Sequence, residues 1–142
     1  SRLDTIQAYI LKTKLPFYKK KISRRNQLAR IYISNLKRTK GINIPVLDFR
    51  KNYNTFHQFV IRLNLRNELQ EFLKKNGVDT MIHYPYMLNE LSFYKKNKGS
   101  NNLKNSKRLG DKILSLPITE EHTNKEINYI CKKINEFSRL YF

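Results

Sequence analysis

Residues 55–85, TFHQFVIRLNLRNELQEFLKKNGVDTMIHYP, decide the fold because their hydrophobic pattern changes period twice. Residues 55–63 alternate between apolar and polar side chains, which is typical of a strand with one buried face. That face carries His57, Phe59, Ile61 and Leu63.

A helix is predicted next, because the following apolar residues recur at helical spacing. Asn64 or Asn67 would cap its first turn, and Gly77 would end it. Residues 78–84 alternate again until Pro85 ends the pattern. The centre of the chain therefore predicts a strand–helix–strand unit whose strands pair in one small sheet. The apolar residues of the helix are Leu65, Leu69, Phe72 and Leu73.

Two helices are predicted before this unit. The first spans Leu3 to Leu15, with Asp4 in its first turn, and it ends or kinks at Pro16. The second spans Tyr18 to Leu36, where an apolar stripe lies opposite a strongly cationic face. Gly41 ends this helical region, and an extended connection follows.

Two more helices are predicted after the unit, beyond an exposed polar loop over residues 95–102. One carries Leu103, Leu109, Ile113 and Leu114 and runs to a break at Leu116-Pro117. Thr123 and Glu126 form a capping-box pattern that opens the last helix. The predicted fold class is α+β, a small sheet with flanking helices. The inward positions of the last helix are Ile127, Ile130, Cys131, Ile134 and Phe137.

Length and composition limit the classes of protein that fit. A chain of 142 residues fits one domain, and 39% hydrophobic residues are too many for a disordered tail. No apolar run approaches the roughly 20 residues of a membrane helix. Cys131 is the only cysteine, which excludes an internal disulfide and favours a reducing, cytoplasmic setting. Because the first residue is Ser1, we expect a piece of something longer or a processed chain.

The net charge of +18 is typical of a nucleic-acid-binding module, because Lys and Arg neutralise phosphates. A biased composition that enriches Lys and Asn on a solvated surface explains the same charge. The basic residues are scattered through every segment, and no RNA-recognition, zinc or phosphate-loop motif accompanies them. The solvated surface is therefore the preferred interpretation, and a basic RNA- or DNA-binding module stays open as the alternative.

The three histidines are the first candidates for acid–base chemistry. His57 lies on the apolar face of its predicted strand and is expected to be a hydrogen-bonded core residue. His122 precedes a helix cap and is expected to be solvated. His83 lies at a strand end beside Tyr84, and the residues alone leave binding and packing equally open there. No metal-ligand spacing is present, and Cys131 is predicted to be buried and inert.

Four segments together resemble the DegT family of sugar-nucleotide aminotransferases. Residues 1–8, SRLDTIQA, resemble the family's Asn-x-Arg-Leu-Asp-x-Ile-Gln-Ala-Ala motif, entered just after its Asn. Residues 56–61, FHQFVI, resemble the strand that starts the last domain. Residues 77–85, GVDTMIHYP, resemble Gly-Ile-x-Thr-x-Ile-His-Tyr-Pro, and residues 113–117, ILSLP, fit Leu-Ser-Leu-Pro.

The resemblance implies a C-terminal fragment of an enzyme with a fold similar to fold-type I aminotransferases. Residues 1–40 would be the interdomain helical segment from the end of the large domain, and residues 41–142 the C-terminal α+β small domain. Such enzymes use pyridoxal phosphate, bound to a lysine upstream of this region, to move an amino group from glutamate to a nucleotide-linked ketosugar. They serve surface-polysaccharide or deoxysugar biosynthesis and act as homodimers.

The same resemblance assigns Arg2, His83 and Tyr84 to substrate binding, reaching into the neighbouring subunit's site. No lysine of this chain lies in the context of the cofactor lysine, so no catalytic or cofactor-binding residue is assigned here and the chain alone is expected to be inactive. Because metal-ligand spacing and long apolar runs are absent, no metal and no membrane partner are expected. Many members of the family continue after this Tyr-Pro pair with a Pro-Leu-His-type sequence, whereas this chain has YMLN at residues 86–89. The resemblance therefore does not predict which sugar is bound.

Overall fold

The computed structural model describes residues 2–45, 54–95 and 103–142. Most of the predicted polar loop, residues 96–102, lies outside these ranges. The helices are α1 (Thr5–Lys14), α2 (Tyr18–Leu36), α3 (Arg66–Lys75), α4 (Ser92–Lys95), α5 (Lys104–Gly110) and α6 (Asn124–Tyr141). The strands are β1 (Phe59–Arg62) and β2 (Ile113–Leu116), and two 3₁₀ turns span Leu15–Phe17 and Leu88–Glu90.

The first two helices form as the spacing predicts. The carboxylate of Asp4 accepts a hydrogen bond of 2.8 Å from the backbone N–H of Ile6, which caps α1. The predicted break at Pro16 is one 3₁₀ turn, where the missing N–H of proline removes no helical bond. None of the residues of α1 is buried, whereas α2 packs against α6.

The sheet is antiparallel, with β1 beside β2. Asn43 forms an isolated bridge to Arg62 on the outer edge of β1, and Met81 forms one to Ser115 on the outer edge of β2. Because both pairings at β2 are antiparallel, β1 and the segment around Met81 run parallel, with β2 between them. The predicted strand–helix–strand unit is therefore split by β2, and its second strand is reduced to a single bridge.

The region around β2 corrects the sequence analysis. The apolar spacing from Leu103 to Leu114 predicts a helix, but α5 ends at Gly110 and β2 begins at Ile113. Leu114, Ser115 and Leu116 are all buried, so the strand is covered on both faces and shows no alternation to recognise. A short, uniformly apolar run is compatible with either structure, and tertiary pairing decides it.

The ends of α3 give one correction and one confirmation. Neither Asn64 nor Asn67 caps the helix, because Leu65 occupies the N-cap position and Asn67 accepts from Arg66 Nε at 2.7 Å. Gly77 ends the helical region as predicted, with a φ of +75° that suits glycine. The N–H groups of Gly77 and Val78 donate to Lys74 and Leu73, which is the Schellman arrangement.

The core joins α2, α3, α6 and one face of the sheet. Tyr32 of α2 is fully buried, stacks on Phe59 of β1 at 4.7 Å and donates its hydroxyl hydrogen to the carbonyl oxygen of Pro117 at 2.7 Å. The capping box of Thr123 and Glu126 forms as predicted and opens α6. All five predicted inward positions of α6 are buried: Ile127, Ile130, Cys131, Ile134 and Phe137.

Charged side chains tie α2 to the connection between β2 and α6. Arg25 donates to Glu120 Oε2 from Nε at 2.9 Å and from Nη2 at 2.6 Å, and Lys21 Nζ lies 2.7 Å from Oε1. Arg24 donates to the carbonyl oxygen of His122 at 2.6 Å. The hydrogen bonds from Lys21 and Arg25 lower the pKa of Glu120 to about 2. We call Lys21, Arg25 and Glu120 the Glu120 clasp.

The Glu120 clasp predicts a specific acid sensitivity. Because folding depresses the pKa of Glu120 from 4.5 to about 2, its contribution is complete above pH 4.5 and is lost as the pH falls towards 2. Glu120→Gln should lower the free energy of unfolding by about 1–2 kcal/mol at neutral pH. It should also flatten the pH dependence of stability between about pH 5 and pH 2.

Urea unfolding across this pH range is the measurement, with Glu121→Gln as the matched control. Glu121 is exposed and forms no ion pair with any residue in the described ranges. Equal pH profiles for the two variants would show that the clasp contributes nothing.

Candidate functional site

The two faces of the sheet have different surroundings. Residues directly opposite each other in an antiparallel pair lie on the same face. On one face all four paired residues are buried in the core: Phe59 with Leu116, and Ile61 with Leu114. The other face carries Val60 with Ser115 and Arg62 with Ile113, of which only Ser115 is buried. This second face is available for a site.

Backbone and side-chain hydrogen bonds fix the segment that carries His83 along β2. Met81 and Ser115 exchange two bonds, with N···O distances of 3.2 Å and 2.8 Å. Gln70 of α3 donates its side-chain N–H to the carbonyl oxygen of Thr80 at 3.2 Å. The segment is therefore held between β2 and α3, two residues before the histidine.

The imidazole of His83 is oriented by β2. Its Nδ1 lies 2.9 Å from the hydroxyl oxygen of Ser115, and the ring meets that of Tyr84 edge-on at 5.8 Å. His83 is half-buried. Its Nε2 has no hydrogen-bond partner among the described residues, so this atom is free to donate or to accept according to the tautomer.

An exposed apolar segment begins directly after the histidine. We call residues 84–94 the aromatic segment; its exposed large side chains are Tyr84, Tyr86, Leu88, Leu91, Phe93 and Tyr94. Tyr84 is 71% exposed, so its hydroxyl group faces solvent. Met87 anchors the segment to α5, where a Cβ atom on Gly110 would lie 2.9 Å from Met87 Cε. Exposed apolar residues in one segment make it a candidate interaction or ligand surface.

The three predicted substrate-binding residues are not all brought together. His83 and Tyr84 are neighbours at the end of the fixed segment. Arg2 is exposed and precedes α1, and within the described residues no hydrogen bond links it to either of them. The chain therefore offers a His83–Tyr84 pair and, separately, an exposed arginine.

The other two histidines differ from expectation. His57 is exposed, so its prediction as a core residue is wrong. The strand begins only at Phe59, and Phe56, with a φ of +45°, occupies the buried position before it. His122, expected to be solvated, is half-buried, and its Nδ1 lies 2.8 Å from the hydroxyl oxygen of Thr119 and accepts from the Thr119 N–H at 3.0 Å.

The cysteine behaves as predicted, because burial raises the pKa of the Cys131 thiol to about 12. Over the ranges that the structure describes, no three His, Cys, Asp or Glu residues group as metal ligands would. Searched over the same ranges, the helices include none with the length and apolar character of a membrane span.

Ser115 is the site residue that the sequence analysis missed. It lies in the ILSLP stretch that carries part of the resemblance. Because a helix is predicted over that region, its strand pairing with Met81 is not expected from the sequence. The sequence feature that could have indicated it is one serine within a short apolar run, which is compatible with a buried strand. A hydroxyl in such a setting requires a partner, which here is His83.

The fold is a strand–helix–strand unit with β2 between its two strands and helices on its flanks. This fold matches a class of enzymes, the sugar aminotransferases. The solved structure of DesV from S. venezuelae superposes with a TM-score of 0.87 at 28% identity, covering 96% of this chain and 37% of DesV. The model of the DegT/DnrJ/EryC1/StrS aminotransferase family matches residues 1–135. The chain belongs to this family.

Two curated relatives show what fraction of a relative's length this chain covers. The Pleiotropic regulatory protein of Geobacillus stearothermophilus is 33% identical over 141 residues, which are 98% of this chain and 38% of that protein. UDP-2-acetamido-2-deoxy-3-oxo-D-glucuronate aminotransferase of Pseudomonas aeruginosa is 33% identical over 131 residues, 92% of this chain and 35% of the relative. The chain thus corresponds to little more than the C-terminal third of its relatives.

The Ser115–His83 contact predicts how the imidazole responds when its partner is removed. Ser115→Ala should free Nδ1 and mix the two ring tautomers, while lowering the free energy of unfolding by about 1 kcal/mol. Ring ¹⁵N shifts of His83 by NMR are the measurement. The ring of His122, which has its own partner in Thr119, is the internal reference. An unchanged His83 spectrum in the variant would contradict the contact.

Proposed function

We propose that this chain is the C-terminal part of a pyridoxal-phosphate-dependent aminotransferase that moves an amino group from glutamate to a nucleotide-linked ketosugar. The observation that carries the proposal is the oriented His83–Tyr84 pair on the open side of the sheet, in a chain of this family. The curated relative of P. aeruginosa is named for such a reaction on a UDP-linked sugar.

The chemistry of the pair suits a sugar ligand. With Nδ1 engaged by Ser115, the imidazole can present Nε2 to a sugar hydroxyl in a fixed orientation. The exposed phenol of Tyr84 offers a second donor and acceptor beside it. The aromatic segment adds an apolar surface on which a sugar or a base can rest. These residues bind and orient the substrate, and none of them is proposed to transfer the amino group.

Arg2 is proposed as the third substrate contact, through a phosphate or carboxylate group of the sugar nucleotide. Its position at the start of α1 favours action outside the folded unit of its own chain. The helix behind it contains no buried residue and presents Ile6, Tyr9, Ile10 and Leu11 to solvent. Such a helix is stable when another protein surface covers it. We therefore propose a homodimer in which Arg2, His83 and Tyr84 reach the partner's site.

The same reasoning supports a division into residues 1–40 as an interdomain helical segment and residues 41–142 as the small domain. The second half of α2 lies in the core against α6, which would anchor the segment to the small domain. None of the residues of α1 is buried, and the large domain of such an enzyme would cover this helix.

The described residues do not by themselves fit pyridoxal phosphate. The cofactor needs a lysine in an enclosed pocket, and every lysine whose side chain the structure describes is exposed or half-buried. Lys133, one of the half-buried ones, is engaged with Glu136 at 2.8 Å. We therefore propose that the cofactor lysine belongs to the part of the enzyme upstream of this region, in the cytoplasm, and that this chain alone does not catalyse transamination.

A nucleic-acid-binding module remains the second hypothesis, and the structure gives it less support. The strongest cationic stretch predicted from sequence is the polar face of α2. Three of its cations, Lys21, Arg24 and Arg25, are engaged with Glu120, His122 and Asn124 rather than left for a phosphate backbone.

The proposed function is tested in two arms. With the chain alone, titration of a uridine diphosphate sugar should shift the NMR signals of His83 and Tyr84, and glutamate plus pyridoxal phosphate should yield no amino sugar. In the complete enzyme that carries this chain, Arg2→Ala, His83→Ala and Tyr84→Phe should each lower kcat/KM about 10- to 100-fold, as expected for the loss of substrate-positioning contacts.

His57→Ala is the matched control, because His57 is exposed and lies outside the pair. It should leave kcat/KM unchanged. The absorbance of bound pyridoxal phosphate should be the same in all variants, since none of the changed residues is proposed to hold the cofactor. Amino sugar made by the chain alone, or full activity in the His83→Ala enzyme, would refute the assignment.

A further inference from the structure

A small polar pocket lies where the outer edge of β1 meets α5, away from the bridge between Met81 and Ser115. It has a volume of about 220 Å³ and is lined by Asn43, Arg62, Asn64, Arg108 and Lys112, with two leucines. We call Arg62, Arg108 and Lys112 the cationic trio. The residues that line this pocket include three cations and no acid.

The cationic trio is uncompensated within the described part of the chain. None of the three side chains forms an ion pair or a hydrogen bond with another described residue. Like charges brought together in a concave surface repel one another and focus a positive potential into it. An anion that enters the pocket relieves that repulsion.

Backbone hydrogen bonds hold the three positions together. Arg62 and Asn43 exchange two bonds of 2.8 Å across the edge of β1. The N–H of Leu63 donates to the carbonyl oxygen of Lys112 at 3.0 Å, and the N–H of Lys112 donates to Leu109 at 2.9 Å. The three residues therefore border the pocket from β1, from α5 and from the turn before β2, on a backbone frame that is already formed, which lowers the ordering cost of binding.

The density of basic residues in this chain accounts for cations on every surface, but it does not account for this geometry. Lys74 and Lys75, for example, are neighbours on the exposed side of α3 and line none of the cavities described for the chain. The trio differs because Arg62 comes from β1 and Arg108 and Lys112 come from a separate part of the chain, and the three border one cavity. That cavity is larger than several water molecules of about 30 Å³ each.

We propose that the cationic trio forms a binding site for a tetrahedral oxyanion of the phosphate class. Two guanidinium groups and one ammonium group match an ion with several acceptor oxygens, and arginine binds such oxygens in pairs. The side-chain amides of Asn43 and Asn64 can donate further hydrogen bonds. The ligand is free phosphate or the phosphate group of a nucleotide, and the site does not depend on the proposed aminotransferase activity.

Titration of inorganic phosphate into the ¹⁵N-labelled chain, with chloride holding the ionic strength constant, tests the site. Amide shifts should concentrate at residues 43, 62–64 and 108–112. The variant Arg62→Gln/Arg108→Gln should raise the Kd for phosphate at least tenfold. The control Lys74→Gln/Lys75→Gln, which removes the same charge from α3, should leave the Kd within twofold.

Addition of uridine diphosphate to the phosphate-bound chain separates the two sources. If uridine diphosphate displaces the bound phosphate, the ligand is the phosphate group of a nucleotide. If it does not, the ligand is free phosphate. Shifts spread evenly over the lysine-rich surface of the wild-type chain would overturn the proposal, as would equal loss of affinity in both double variants. The wild-type titration decides the question even if the arginine variant does not fold.

Discussion

The hydrogen bond from the hydroxyl of the buried Tyr32 to the carbonyl oxygen of Pro117 is the constraint on which the rest of the structure depends. Tyr32 has no exposed surface, and its burial raises the pKa of the phenol, so the group stays neutral and must donate within the protein. Its ring also stacks on Phe59 of β1 at 4.7 Å. One side chain of α2 thereby contacts β1 and the residue that follows β2.

This attachment determines where the candidate site lies. Pro117 follows β2 directly, and β2 holds Met81 through its backbone and His83 through the hydroxyl of Ser115. The core face of the sheet is used for stability, whereas the opposite face presents His83 and Tyr84 at one edge and Arg62 at the other. A sheet of two short strands can provide both a core face and a face for the site because α2, α3 and α6 pack with it and hold its strands in register.

The sequence predicts the long helices well and the sheet poorly, for a physical reason. The bounds of α2 and the capping box of α6 follow from apolar periodicity and from local hydrogen bonds, both of which are properties of neighbouring residues. The strand β2 depends instead on distant partners: Ser115 pairs with Met81, 34 residues away, and the β1 residues are 51 to 57 residues from theirs. Its short apolar run alone predicts a helix. The position of His83 and the family resemblance predict it as a candidate, but its contact with Ser115 depends on a strand pairing that the sequence does not display.

The free energy of unfolding of Tyr32→Phe, measured in urea beside that of Tyr129→Phe, tests whether the fold depends on the bond between Tyr32 and Pro117. Tyr129 also donates to a backbone carbonyl, that of Asn76 at 3.0 Å, but it is 44% exposed, so water can replace its bond. The expected loss is about 1–3 kcal/mol for Tyr32→Phe, because the carbonyl of Pro117 loses its buried donor, and less than about 0.5 kcal/mol for Tyr129→Phe. Equal stability of the Tyr32→Phe variant and the wild-type chain would contradict it.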